Sequence, residues 1–187
     1  MGGGDKCLLP LDDRPILAHV IARLPSAAAI NANGDPARFS TFGLPVFADS
    51  LPDFPGPLAG VLAGMEWAAA RGQSHILTAA ADTPFFPPDL AQRLTTRAPI
   101  TMATHAGQDH PAFAVWDTAL RESLRSALRA GTRRMRDWMD AHGAARVEVP
   151  GPADGSDPFF NINTPADLDA ARIRLATERN CEGNPWT

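Results

Sequence analysis

The stretch that decides the fold is HILTAAADTP, His75 to Pro84. A short apolar run, Ile76-Leu77-Thr78, passes through small residues to Asp82. A residue before proline is pushed towards extended backbone, so Thr83-Pro84 fixes the chain just past that carboxylate. The stretch reads as a central strand ending in an acid.

Working outward, helical and extended patterns alternate. Upstream, Leu58, Val61, Leu62 and Met65 recur at helical spacing behind the Pro52–Pro57 loop. Leu44–Ala48 and Ala27–Asn31 read as short strands. Ile16, Leu17, Val20, Ile21 and Leu24 read as a helix entered at Pro15 and stopped at Pro25, and Lys6–Leu11 as an extended segment. Downstream, Pro87-Pro88 opens a helix. Strands at Ile100–Ala103 and Ala112–Trp116 flank a polar loop with His105, Asp109 and His110. Helices follow through Leu120, Leu124 and Leu128 and through Met135, Trp138 and Met139. Arg146–Val149 is a late strand and Pro165 opens a last helix. This alternation predicts an α/β sandwich with a mostly parallel sheet, in which ligands bind beyond the carboxyl ends of the strands.

The polar residues just past strands are therefore the candidates: Asn33, Asp49 and Asp82. A carboxylate there suits Mg²⁺, which keeps several waters and binds substrate phosphates. The same residue types also cap helices and stabilise turns. Lys6, beside glycines in MGGGDK, reads either as a mobile cation for phosphate oxygens or as a surface lysine near a frayed end. There is no GK[ST], so this is not a Walker A loop. GPLAG, Gly56–Gly60, either lets a helix approach a ligand or is an ordinary helix entry. Arg129, Arg133, Arg134 and Arg136, with Trp138 nearby, read as a grip for a phosphorylated aromatic substrate or as a solvated face. His110 offers a hydrogen bond to a ligand.

The 187 residues carry a formal charge of -4, which argues against nucleic acid or a membrane surface as partner. No apolar stretch is long enough for a bilayer, and no signal-peptide pattern is present. Two cysteines, Cys7 and Cys181, make no disulfide framework and suggest a reducing, cytoplasmic setting.

MGGGDK, NANGD, FADSLPDFPGPLAG, ADTPFFPPDL, DHPAFAVW and FNINTP, in this order, resemble the molybdenum cofactor guanylyltransferases from Met1 to about Arg172. The resemblance implies a Rossmann-like nucleotidyltransferase sandwich that joins GMP from GTP to the phosphate of molybdopterin, or its molybdenum form, with Mg²⁺, releasing pyrophosphate. It implies that Lys6 binds nucleotide phosphates, Asn33 and Asp49 the guanosine part, and Asp82 Mg²⁺ and GTP. Lys6 and Asp82 are thus the catalytic pair. Asn161 and Asn163, with His110, fall on the pterin side. Molybdoenzymes and other cofactor-synthesis proteins are the implied partners. A cytidylyl or sugar-phosphate nucleotidyltransferase and a non-catalytic nucleotide-binding partner are the alternatives. The family opens with a strand and an L-A-G-G-x-S-x-R-M-G loop, and this sequence starts at the M-G. One nucleotidyltransferase domain, 1–187, lacking that strand and the first half of the Gly-rich loop is therefore expected.

Overall fold

The computed structural model describes residues 5–24, 29–51 and 56–182, the last four by their backbone. The glycines of MGGGDK, Pro25, Ala27-Ala28, Pro52–Pro55 and the end of the C-terminal tail lie outside the described residues.

The main sheet has four strands in the order β5 (His75–Thr78), β7 (Gln108–Asp117), β6 (Ile100–His105), β8 (Ala145–Glu148). β6 and β8 are parallel, whereas β7 opposes both β5 and β6. Three of the four strands thus run the same way, and only β7 is reversed. A second ribbon pairs β3 (Ile30–Asn31) with β4 (Val46–Phe47) in parallel.

Strand alternation sends side chains to two faces. Ile100, Met102, Ala114 and Trp116 pack with α2 (Pro57–Ala69), α4 (Arg121–Arg129) and α5 (Met135–Ala141). Ala103 and Phe113 face the other way, onto α1 (Ile16–Ala22) and Leu90 and Leu94, at and just beyond α3 (Leu90–Arg93). The last helix, α6 (Pro165–Glu182), closes a third, smaller core with Leu11, Ile16, Phe85 and Ile162. None of the described helices is long and apolar enough to cross a membrane.

Four local expectations are corrected. Lys6–Leu11 is not one extended segment. Lys6–Leu8 is a 3-10 turn closed by Leu8 N–H to the Asp5 carbonyl at 3.0 Å, and only β1 (Pro10–Leu11) is extended, in a hairpin with β2 (Arg14–Pro15). Asp12 turns that hairpin at φ 63. Among the described residues, the strands near 27–31 and 44–48 are two residues each, Ile30–Asn31 and Val46–Phe47. Pro45, with no N–H to offer, contributes only its carbonyl, to Ile30 N at 2.9 Å.

β5 is not central but an edge of its sheet, pairing with β7 alone among the described residues. Its apolar run reflects burial on both faces, Ile76 against one core and Leu77 against the other. Lastly, the polar loop is a continuation of β6 and β7, turned by Ala106 (φ 49) and Gly107 (φ 77). Pairing jumps from Met102–Ala114 to Ala103–His110, so Pro111, Ala112 and Phe113 bulge out of the ladder. A bulge accommodates a proline that lacks an N–H.

Candidate functional site

Asp82 lies four residues beyond β5, and the segment after it is buried from Thr83 to Phe86. Its backbone carbonyl accepts from Ile162 N at 3.0 Å, which docks the FNINTP segment beside it. Thr164 and Asp167 fix that segment from the other side as a reciprocal helix cap. The Asn163 and Thr164 N–H groups both donate to Asp167 Oδ2, at 2.9 and 2.8 Å, while Thr164 Oγ1 accepts from Asp167 N at 3.1 Å. These donors hold the Asp167 carboxyl below its ordinary range.

Lys6 arrives from the 3-10 turn. Its Nζ donates to Asn163 Oδ1 at 2.6 Å and stands 3.7 Å from Asp82 Oδ2. Lys6, Asp82 and Asn163 therefore converge, with the lysine and aspartate side chains 38% and 23% exposed. That leaves both groups reachable by a ligand. Asn161 is exposed one residue before buried Ile162, on the same segment.

Asn33 and Asp49 meet in a second group, past the ends of parallel β3 and β4. Asn33 Nδ2 donates to Asp49 Oδ2 at 2.8 Å, and Asn33 Oδ1 accepts from Asp49 N at 2.9 Å. Asn31, which the sequence reading passed over, donates to Asp49 Oδ1 at 3.1 Å. Arg38, also passed over, pairs with Asp5 at 2.8 Å and donates to the Asn33 carbonyl. Asp5 precedes Lys6, so the two groups form one polar row. N-x-N across a strand end was the signal for Asn31, because residues two apart in an extended chain share a face.

GPLAG serves this row. Gly56 enters α2 at φ 130, a conformation glycine tolerates. Gly60 faces Asn31, and a Cβ there would lie 2.4 Å from Asn31 Oδ1. An alanine in a helix ordinarily gains about 1 kcal/mol over glycine. Gly60→Ala is expected instead to lose about 1–3 kcal/mol through overpacking and displacement of Asn31. Urea unfolding checks this, and a gain in stability would contradict the close approach.

His110 is stacked on Phe159 with centroids 4.3 Å apart. Burial pushes its pKa below the ordinary histidine value, against the opposing pull of Asp157. It is thus suited to hydrogen bonding as a neutral ring at pH 7. Phe159 joins it to the segment carrying Asn161. The arginine cluster disperses: Arg136 pairs with Asp109 at 3.2 Å, and Arg133 donates to the Leu128 and Thr132 carbonyls. Arg129 and Arg134 are exposed. Cys7 is partly buried beside Lys6, and its thiol is pushed up to about 11, chiefly by burial and then by Asp5, with Asp82 adding to the effect.

Among the described residues no three His, Cys, Asp or Glu side chains gather to cage a metal ion. Mg²⁺ does not require a cage. It is held by one or two carboxylates plus substrate phosphates and water, and Asp82, partly exposed beside a lysine, fits that donor set.

A family model described as a MobA-like NTP transferase domain matches residues 1–147. A molybdenum cofactor guanylyltransferase of Mesorhizobium japonicum is 48% identical, over 92% of this chain and 89% of its own. One from Rhodopseudomonas palustris (strain BisB5) is also 48% identical, over 96% and 90%. Among solved structures, molybdopterin-guanine dinucleotide biosynthesis protein A from Archaeoglobus fulgidus superposes with a TM-score of 0.71 at 20% identity, covering 94% of this chain and 92% of that one. A nucleotidyl transferase from Methanothermobacter thermautotroptrophicus gives 0.69 at 21% identity, over 92% and 86%.

Proposed function

The chain belongs to the MobA-like NTP transferase family, and from that premise we propose that it transfers GMP from GTP to the phosphate of molybdopterin, or its molybdenum form, releasing pyrophosphate. It is a nucleotidyltransferase. The observation that carries the site reading is the convergence of Lys6, Asp82 and Asn163 from three distant parts of the sequence.

In the proposed reaction an oxygen of the acceptor phosphate attacks the α-phosphorus of GTP. The bond from that phosphorus to the bridging oxygen breaks, and pyrophosphate leaves with the electron pair. The acceptor phosphate is already ionised at neutral pH, so catalysis calls for positioning and charge neutralisation more than for a strong base. Lys6 offsets charge on the phosphates and the leaving pyrophosphate. Asp82 would hold Mg²⁺, which when bound neutralises triphosphate charge. Asn33 and Asp49 hold the guanosine part, supported by their mutual hydrogen bonds at the strand ends. Asn161, Asn163 and His110 line the pterin side. The net charge of -4 supports an enzyme without nucleic-acid or membrane partners, and two cysteines that make no disulfide framework support a cytoplasmic setting. Molybdoenzymes or other cofactor-synthesis proteins would receive the product.

Calorimetry with GTP and CTP, with and without Mg²⁺, tests this reading. The expected result is Mg²⁺-dependent binding of GTP at least about tenfold tighter than CTP, a difference of about 1.4 kcal/mol. Asp49→Ala is expected to erase the preference. A preference for CTP would point to the cytidylyl branch, and equal binding would remove Asn33 and Asp49 from the base site.

A further inference from the structure

Two segments, 82–86 and 157–163, carry Asp82, Asn161 and Asn163. The Ile162 N–H to Asp82 carbonyl bond joins them directly. A second link runs through one side chain of α6. The Arg174 guanidinium lies 4.1 Å from the centroid of the Phe85 ring. Its Nη1 donates to the Asp157 carbonyl at 2.6 Å, and its Nε to Glu178 Oε1 at 3.1 Å. The other Glu178 oxygen accepts from Arg23 Nη2 at 3.0 Å, and Arg23 Nη1 donates to the Phe86 carbonyl at 3.2 Å. Helices α1 and α6 thus close a charged clasp on both segments. The Arg174 side chain is only 12% exposed.

We infer that Arg174 is a positioning residue for nucleotidyl transfer, holding the Asp82 and Asn163 segments in mutual register. The inference rests on the site reading proposed above. Lys6 reaches Asn163 at 2.6 Å and Asp82 at 3.7 Å, so a slip between the two segments separates it from one of them. A misplacement of about 1 Å can cost about 100-fold in rate. The guanidinium suits the task because its planar fork covers a ring and donates in two directions at once. A lysine ammonium is a point charge that cannot do all three.

The test is a double-mutant cycle on the full chain, read as kcat for guanylyl transfer. Arg174→Lys keeps the charge and the means to pair with Glu178. It is expected to lower kcat about tenfold, with a thermal midpoint within about 5 °C of the parent. On an Asn163→Ala background the same change is expected to cost less than about twofold, because one of the two registered segments no longer contributes. A merely structural role would cost the same on both backgrounds, and that result, or parental kcat in Arg174→Lys, overturns the clasp alone. Parental kcat in Asn163→Ala overturns the site reading at that residue and the clasp with it. If Arg174→Lys does not fold, Glu178→Ala removes the carboxylate that anchors the same guanidinium and carries the cycle with the same outcomes.

Discussion

Asp82→Asn is expected to cut guanylyl transfer by about 100-fold or more while leaving the protein folded. On the proposed reading this carboxylate is the one that carries magnesium and faces the triphosphate, and removing one electrostatic contact to a reacting group typically costs about 10²–10³ in kcat. Asparagine keeps the size of the side chain. The Asp82 carbonyl still accepts from Ile162, and Lys6 keeps Asn163. The lysine–aspartate pair is partly exposed, and such pairs contribute about 1 kcal/mol or less to stability. Thermal melts of parent and variant should therefore nearly coincide, while kcat/KM with magnesium and GTP collapses. A variant that turns over at the parental rate would remove Asp82 from the reaction.

The largest loss of stability is expected at Trp116. This indole is fully buried in β7, packs near Trp138 with centroids 6.4 Å apart, and donates from Nε1 to Thr78 Oγ1 at 2.9 Å. It stitches β5 to β7 below the segment that leads to Asp82. Trp116→Ala opens a cavity and leaves the Thr78 hydroxyl with only its bond to the Ala114 carbonyl, so a cost of about 3–5 kcal/mol is expected. For a chain of this size that lowers the thermal midpoint by roughly 6–20 °C. Against a total stability of about 5–15 kcal/mol, folded protein at 37 °C would be visibly depleted. A loss below about 1 kcal/mol would mean that the sheet closes over the gap. Urea unfolding of the variant decides between these.

Both positions show what was legible in the sequence. The α2 helix was plain because Leu58, Val61, Leu62 and Met65 repeat at the right period, and all four are buried. Asp82 was plain because a strand-like run ends just before it. That Lys6 meets Asn163, 157 positions away, was not legible from spacing. The resemblance gives Lys6 to the nucleotide phosphates and Asn163 to the pterin side, and only the fold supplies the contact between them. The β6–β7 hairpin was misread because His105, Asp109, His110 and Pro111 look like a loop. Strands with an exposed face carry polar residues freely, and the bulge absorbs the proline. Face burial and edge pairing are likewise separate properties. A run of apolar residues reports the first, which is why β5 read as central. Arg174 left no trace in the pattern, because a long arginine on a helix reads as solvated until its partners are seen.

The thiol of Cys7 bears on chemical selectivity. The thiolate, not the thiol, is the form that oxidants and alkylating agents attack, and an adduct at Cys7 would sit beside Lys6. With its ionisation pushed up to about 11, only about one molecule in 10⁴ carries the thiolate at pH 7. Desolvation and two neighbouring carboxylates thus keep this thiol largely inert towards such reagents.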